Sequence, residues 1–207
     1  MKKSQKLTAD EGVKVDSTLQ LDCQQFAAME VSMQIFETLK ADHENFKKLM
    51  EQLLATPPDD NSRTDLITQI RNELIPHVRA EEAVLYNTMR SMDVGEDAVR
   101  DSYREHMEIE ALLRTLREKD TLIHEAQKTA ENLKGVLLHH IEEEEGKVFA
   151  IAQKIFTPEE SEMLNHAFVE LKHRVGEESD LKTTLEYIAN LMPPRFSNIF
   201  RGKKQSA

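Results

Sequence analysis

Glycine and proline are scarce in this sequence, with six of each among 207 residues. A protein built from many β-strands needs a turn every several residues, and turns rely heavily on these two residue types. The scarcity therefore argues against an all-β fold and favours long helices. The hydrophobic share of 39% and the charged share of 31% are typical of amphipathic helices, which bury one face and expose the other to solvent.

Cysteine and positive charge are also in short supply. The single cysteine, Cys23, excludes a disulfide framework within one chain and favours a reducing compartment. The formal net charge of −11 disfavours nucleic acid as the main partner, because phosphate binding needs a basic surface. No apolar run approaches the roughly 18 residues of a membrane span, and the polar N-terminus lacks the apolar segment of a signal peptide. We therefore expect a cytoplasmic protein with neither nucleic acid nor membrane as a partner.

Four long stretches carry apolar residues at helical spacing, and short polar breaks separate them. Four antiparallel helices with short connections form an up-down-up-down bundle. We therefore predict an all-α protein built on a four-helix bundle, with additional C-terminal helices. The predicted bundle helices span about 30–55, 62–92, 96–119 and 121–156.

Local signals predict how some of these helices begin and bend. Ser62 followed by Asp65 resembles a capping box at the start of the second helix. Pro76 lies inside that helix, where its missing N–H and its ring should kink or locally unwind the chain. Thr157 followed by Glu160 predicts the start of a fifth helix.

The same signals divide the chain into four predicted segments. Residues 1–28 form an N-terminal arm, and its first 16 or so residues are polar and aperiodic, which predicts partial disorder. Residues 29–156 form the bundle. Residues 157–192 form a helical extension, in which Ser179 begins a sixth helix, and residues 193–207 form a basic tail.

An internal repeat is the most informative feature of the sequence. The stretch LIPHVRAEEAVLY at residues 74–86 aligns without gaps with LLHHIEEEEGKVF at residues 137–149, which defines a constant offset between the two halves. Each stretch has a histidine and a glutamate four residues apart, so that both side chains project from one face of a helix. The same offset relates a histidine on the first predicted helix to one on the third. The repeated residues are His43, His77 and Glu81 in the first half, and His106, His140 and Glu144 in the second.

Imidazole and carboxylate groups that face the centre of a bundle can bind metal ions. These groups suit iron, zinc, copper or manganese, and the absence of cysteine from the set excludes an iron–sulfur cluster. Six ligands with two carboxylates are more than one four-coordinate zinc ion uses, so two metal ions bridged by the two glutamates use the set best. Since buried carboxylates are costly without a compensating charge, the metal-free protein should be less stable.

These motifs resemble the hemerythrin-like domain, the HHE cation-binding family. The resemblance rests on the stretches ADHENF, HVRAEEAVLY and HHIEEEEGKVF and covers about residues 30–156. It implies a non-heme di-iron site, with two iron ions joined by an oxo or hydroxo bridge, although other divalent metals suit the same ligands. It also implies that Glu81 and Glu144 are bridging carboxylates and that the four histidines are terminal ligands.

The third helix departs from the pattern of oxygen-carrying hemerythrins. Those proteins carry His-x-x-x-His there, whereas this chain has His106 followed by Glu110. Glu110 can ligate a metal, accept a hydrogen bond beside the site, or pair with Lys47, and we include it among the candidate ligands. On the fourth helix Glu145 is an alternative to Glu144. The departure argues against simple reversible oxygen carriage.

Three functional interpretations fit the sequence, and it leaves open whether the chain is an enzyme. The leading one is a di-iron protein that binds O2 or NO for sensing, storage or scavenging. The second is a di-iron enzyme with peroxidase, catalase-like or NO-reducing activity, acting on peroxide or NO, or with a role in iron-centre repair. The third is a non-catalytic bundle whose C-terminal helices or basic tail bind a protein partner that the sequence does not identify.

The remaining histidines and the apolar residues near the motifs are predicted to have ordinary structural roles. His139 is adjacent to His140 but points about 100° away on a helix, and the repeat selects His140. We expect His124, His166 and His173 to be surface or hydrogen-bonded residues. Residues predicted to form the core, some of them lining the metal cavity, are Phe36, Phe46, Met50, Met89, Met107 and Phe149.

Overall fold

The computed structural model describes residues 33–57, 59–119, 123–176, 192–193 and 195–196. In these ranges the chain is helical without β-strands, which confirms the predicted all-α class. The predicted N-terminal arm and the sixth helix lie outside the described residues, and the four segment boundaries stay predictions. None of the described helices is both long enough and apolar enough to cross a membrane.

The four bundle helices lie close to their predicted spans, and two of them contain a π-helical turn. The first helix is Ile35–Ala55 and the third is Glu96–Lys119. The second helix is Ser62–Glu81, and it continues through a π turn at Glu82–Tyr86 into Asn87–Ser91. The fourth is Ile123–Glu143, and it continues through a π turn at Glu144–Val148 into Phe149–Ile155. The first and third helices each pack against both the second and the fourth. This closed arrangement with short connections is the predicted up-down-up-down bundle.

Two apolar clusters fill the bundle, and a polar layer separates them. On the first helix, for example, Leu39 belongs to one cluster, Phe46 belongs to the other, and the buried His43 lies between them. The second helix repeats the pattern, with His77 between Leu74 of one cluster and Ala80 of the other. The hydrophobic effect thus stabilises both sides of the layer, while the layer itself contains ionisable groups.

A fifth helix, Pro158–Gly176, packs against the first and second bundle helices. The predicted capping box at its start is confirmed: the Thr157 N–H donates to Glu160 Oε2 at 3.0 Å, and the Glu160 N–H donates to Thr157 Oγ1 at 3.2 Å. Farther along the chain, Arg195 donates to the Glu160 carboxylate and Phe196 packs against the Phe156 ring. These contacts hold residues 195 and 196 against the start of the fifth helix.

One prediction about the start of the second helix was wrong. Its N-cap is Asn61, and the Ser62 N–H donates to Asp60 Oδ1 at 2.8 Å, so the capping carboxylate precedes Ser62 instead of following it. The chain is α-helical through Pro76 without local unwinding, so that a kink there stays a prediction, and the irregular turn comes later, at Glu82–Tyr86.

Met107, predicted to be core, is 72% exposed. Its neighbour His106 is fully buried, and adjacent residues on a helix point about 100° apart, so the inward position of His106 directs Met107 outward. The other five residues of the predicted core are buried.

Arg63 is a buried cation at the C-terminal end of the first helix. Its Nη1 donates to the carbonyl oxygens of Leu53 and Thr56, both at 3.0 Å. The last carbonyls of a helix lack partners within the helix and carry partial negative charge, so Arg63 satisfies and stabilises this end.

Candidate metal centre

The six repeated residues meet in the polar layer, with side chains at most 3% exposed. Glu81 Oε2 lies 3.7 Å from Nε2 of His77 on its own helix and 3.4 Å from Nε2 of His106 on the third helix. The contact with His77 follows from their spacing of four residues, and the contact with His106 from the packing of the second helix against the third.

Glu144 occupies the equivalent place in the second half of the repeat. Its Oε2 lies 3.8 Å from Nε2 of His140 on the same helix and 3.2 Å from Nε2 of His43 on the first helix. Each glutamate therefore contacts the histidine of its own helix and one from a neighbouring helix.

The four imidazoles form two pairs. The rings of His43 and His77 are 5.3 Å apart between centroids, and those of His106 and His140 are 4.5 Å apart, with their Nε2 atoms 3.1 Å from each other. Each glutamate reaches one histidine of each pair, which is the position that a carboxylate bridging two metal ions requires. Glu81, His106 and His140 alone offer three ligand atoms within 4.8 Å of one another.

The π turns let each motif bury one more side chain on the same face. In a regular α-helix, residues five apart point about 140° away from each other. The π turn closes a loop from residue i to i+5, so Glu81 and Tyr86 both face the interior and are both fully buried. Glu144 and Phe149 repeat this arrangement around the second π turn.

Every histidine of the layer is held from outside by a carboxylate. His77 Nδ1 lies 2.8 Å from Asp42 Oδ2, and His140 Nδ1 lies 3.0 Å from Glu105 Oε2. Asp42 and Glu105 are separated by the same offset as His43 and His106, so the internal repeat extends to these outer groups.

The other two histidines have their own pair of outer carboxylates. His106 Nδ1 lies 3.1 Å from Glu82 Oε1, and His43 Nδ1 lies 2.9 Å from Glu145 Oε1. Glu82 and Glu145 are also equivalent in the repeat. Sequence reasoning did not identify Asp42, Glu82 or Glu105, and it treated Glu145 as an alternative ligand, although the offset that identified the inner six would have selected all four.

These outer contacts fix which nitrogen of each neutral histidine carries the proton. A carboxylate only accepts hydrogen bonds, so each Nδ1–H donates outward and each Nε2 presents its lone pair inward. The inward atoms of the six residues are then mostly acceptors, which repel one another unless a cation lies among them. A set of acceptors facing one point and oriented by outer carboxylates is typical of metal sites.

Unpartnered buried atoms support the same conclusion. In the described part of the chain, four buried side-chain atoms of this layer lack a hydrogen-bond partner: His43 Nε2, Glu81 Oε1, Glu81 Oε2 and Glu144 Oε2. Buried polar groups are almost always satisfied, and an unpaired carboxylate oxygen costs about 1–3 kcal/mol or more. The residues present therefore fit metal ions, which would satisfy these atoms.

Burial and mutual contact shift the pKa values of the inner residues in opposite directions. Burial, reinforced by the charge of Glu144, raises the pKa of Glu81 well above its usual range. Burial alone would also raise the pKa of Glu144, but the neighbouring Glu81 and His43 outweigh it and hold that pKa well below the usual range. In the metal-free protein Glu81 therefore keeps its proton more readily than Glu144.

The histidines differ in the same way. Burial lowers the pKa of His43, but contacts with Glu144 and Glu145 outweigh it and raise that pKa to about 9. Burial lowers the pKa of His77 to about 4 in spite of its contact with Asp42. At pH 7 the metal-free layer therefore combines a charged His43 with a neutral His77.

The other candidates from the sequence lie elsewhere. Glu110 Oε1 lies 2.6 Å from Nη2 of Arg79, a residue whose side chain is 49% exposed. Lys47 pairs with Glu44 instead of Glu110. His139 is 62% exposed, as expected from its angle to His140. The structure thus gathers the six repeated residues and does not bring Glu110 to them.

Tyr86 is a further residue in this layer. Its hydroxyl donates to Glu144 Oε1 at 2.9 Å, and its ring stacks on His106 with 5.4 Å between centroids. In the sequence it was only the aromatic residue that aligns with Phe149, and nothing there distinguished its hydroxyl from that of an ordinary core tyrosine.

Comparison with known proteins agrees with this geometry. Residues 34–152, more than half of the chain, match the family model described as Hemerythrin HHE cation binding domain. A curated relative named DNA nickase, from Nostoc sp. (strain PCC 7120 / SAG 25.82 / UTEX 2576), is 26% identical over 143 residues, which are 69% of this chain and 40% of that protein. The chain thus spans about two fifths of the length of this relative. No solved structure matches the chain significantly.

Proposed function

This chain belongs to the hemerythrin HHE cation-binding family, and on that basis we propose that it binds two iron ions and a small diatomic molecule, O2 or NO, for sensing, storage or scavenging. The proposed ligands are the six repeated residues: His43, His77, Glu81, His106, His140 and Glu144. Glu110 is left out of the set because its carboxylate pairs with Arg79. Cytoplasmic location is part of the proposal.

One observation carries it: six buried side chains direct their polar atoms at one another, and four of these atoms lack a hydrogen-bond partner in the described part of the chain. Burying such groups without a cation is costly, so the arrangement is unfavourable unless a cation completes it. The two imidazole pairs, each within reach of both glutamates, supply ligands for two ions rather than one. Imidazole with carboxylate is a ligand set that suits iron.

The chain's own residues have separable roles in this proposal. The outer carboxylates orient the imidazoles and keep each Nδ1 protonated. The two apolar clusters on either side of the layer separate it from bulk water. Tyr86 holds one oxygen of Glu144 and so restricts how that carboxylate turns. Ferrous ions, when bound, would supply affinity for NO and electrons for O2.

The activity in the relative's name is not part of the proposal. The match covers 40% of that protein, and a net charge of −11 opposes the binding of polyanionic DNA. A plasmid-nicking assay with the metal-loaded protein checks this point, and cleavage would reassign the function.

The test measures metal content and spectroscopy on the full chain. We expect anaerobically loaded protein to hold two iron ions per chain and to change its visible absorption when O2 or NO is added. His77→Ala and Glu144→Ala should lose iron and the spectral change. His166→Ala is the matched control, because this histidine is exposed on the fifth helix and should leave both unchanged.

Different results separate the proposal from its alternatives. A folded wild-type protein that binds no metal refutes it. Sustained consumption of peroxide or NO, lost in His77→Ala, would favour the enzyme interpretation over simple binding. Two bound irons with neither ligand binding nor turnover would refute the diatomic-ligand part alone.

A further inference from the structure

The fifth helix reaches the candidate metal centre through Lys172. Its Nζ lies 2.6 Å from Asp42 Oδ2, and the same oxygen accepts the hydrogen bond from His77 Nδ1 at 2.8 Å. The lysine and the histidine therefore donate to the same carboxylate oxygen, and each weakens the hydrogen bond of the other. Lys172 is 27% exposed and Asp42 is 18% exposed, so the pair is only partly screened by solvent.

A second contact joins the same helix to the same histidine. The ring of the fully buried Phe168 meets the ring of His77 edge-on, with centroids 5.5 Å apart and planes at 84°. Phe168 and Lys172 are four residues apart, so both project from one face of the fifth helix. That face packs across the first and second bundle helices, which carry Asp42 and His77.

The contact with Lys172 breaks the internal two-fold of the site. The equivalent outer carboxylate, Glu105, accepts from His140 Nδ1 and lies 3.5 Å from the exposed His139. Lys147 also interacts electrostatically with Glu105, but the amine of this exposed lysine pairs with Glu143. The fifth helix lies outside the repeat and packs mainly against the first and second bundle helices, the half that carries Asp42. His77 and His140 are thus equivalent in sequence and unequal in surroundings.

The cation nearest the outer carboxylate of His106 is less well placed than Lys172. Arg79 contacts Glu82 at 3.2 Å, but through Oε2, whereas His106 uses Oε1. Arg79 is also 49% exposed and shares its charge with Glu110, so solvent screens its effect more strongly.

We propose that Lys172 is a positioning residue that acts through Asp42 on His77 and makes the metal position at His43 and His77 bind a divalent ion less tightly than the position at His106 and His140. An outer carboxylate strengthens a ligating imidazole by accepting its N–H. A lysine on the same carboxylate oxygen reduces that effect and adds a positive charge near the ion. This inference rests on the proposed function, since it presumes two metal ions in the layer.

The test is an anaerobic titration of the full metal-free chain with Co2+, followed by calorimetry and visible absorption. Wild-type protein should bind two Co2+ ions in two separable steps. Lys172→Met keeps an unbranched apolar side chain and removes the charge, so it should tighten the weaker step by up to about tenfold, the lower end of the effect of outer-shell substitutions. Lys172→Arg keeps the charge and should bind Co2+ in two separable steps, as wild type does.

The matched control and a metal-free measurement exclude a merely structural effect. Arg174→Met removes one charge from the same helix, at a side chain that is also 27% exposed and pairs with Glu170, and should leave both steps unchanged. In metal-free protein labelled with 15N-histidine, the Nδ1–H signal of His77 should move in Lys172→Met, while that of His140 stays in place.

The outcomes distinguish this inference from the proposed function. If wild-type protein binds no Co2+, both fail. If it binds two ions and Lys172→Met leaves both steps unchanged, or loosens the weaker one, only the role of Lys172 is refuted. If Lys172→Met does not fold, Lys172→Gln replaces it in the same titration, with the same criterion.

Discussion

Tyr86 donates a hydrogen bond to Glu144 across the bundle, and the residue equivalent to Tyr86 in the other half is Phe149, which has no hydroxyl. This difference explains an asymmetry among the unpartnered atoms. Both oxygens of Glu81 lack a partner in the described part of the chain, whereas Glu144 has only one such oxygen. The tyrosine thus makes one of two equivalent carboxylates the more rigid and the better satisfied.

Tyr86→Phe should destabilise the metal-free protein by about 1.5–3 kcal/mol, because it removes a buried hydrogen bond to a charged acceptor. Chemical denaturation followed by circular dichroism measures this change. Tyr103→Phe is the control: its partly buried hydroxyl donates to Asn87 at 3.0 Å, and its loss should cost about 1 kcal/mol or less. Equal losses in the two variants would contradict a special role for the contact with Glu144.

Glu81→Gln should abolish binding at the bridging position yet stabilise the metal-free protein. The pKa of Glu81 is raised in the folded state, so its stabilising contribution is present below the unfolded value near 4.5 and is lost as pH rises. Above pH 4.5 the free energy of unfolding of the variant should therefore exceed that of wild type, by about 1.4 kcal/mol for each unit by which the pKa of Glu81 is raised.

Denaturation of both proteins between pH 4 and pH 8 checks this prediction. Their stabilities should converge at the acidic end and separate as pH rises. Glu51→Gln, at an exposed position on the first helix, should show no such divergence. A metal-free Glu81→Gln protein that is less stable than wild type at pH 8 would show that the carboxyl is satisfied in a way the structure does not contain.

Metal loading at pH 7 should release protons from the layer. His43 has a pKa of about 9 in the metal-free protein because Glu144 and Glu145 outweigh its burial, whereas a ligating imidazole must give up the proton on Nε2. Calorimetric titration with Zn2+ in buffers of different ionisation enthalpy counts these protons. Glu145→Gln weakens the support for the charged form of His43 and should release fewer, and an unchanged count would contradict the assignment.

Arg63→Met should lower stability without changing metal content. The variant removes two hydrogen bonds from a charged donor to the end of the first helix, each contributing about 1.5 kcal/mol. Leu53, one of the acceptors, follows His43 by ten residues, or about 15 Å of helix. We expect the variant to be destabilised by about 3 kcal/mol and still to bind two metal ions per chain. Arg71→Met, exposed on the second helix, should be neutral, and loss of metal in Arg63→Met would contradict the separation.

The internal repeat made the inner six residues predictable from the sequence. A constant offset between the halves and a spacing of four residues on a helix determine which side chains share a face, and the bundle then brings the faces together. The outer pair Asp42 and Glu105 has the same offset, so the repeat marks these two positions as well. Assignment of the inner six as ligands stays a prediction.

Other features depend on tertiary contacts that no local pattern encodes. Lys172 lies beyond the repeat, and its contact with Asp42 spans 130 residues of sequence. No glycine or proline marks the position of the π turn after Glu81, and the chain stays α-helical at Pro76. These features could be located only once the packing of the fifth helix and the bundle was known.

The two helical hairpins of the bundle each carry half of the polar layer, and this has an evolutionary consequence. A hairpin with one histidine on its first helix and a histidine and a glutamate on its second can complete such a layer by association with an identical copy. Fusion of two copies into one chain keeps the layer and frees each hairpin to diverge. Two such differences are Tyr86 opposite Phe149, and Asp42 opposite Glu105. Lys172 donates to Asp42, whereas Lys147, the lysine near Glu105, pairs with Glu143.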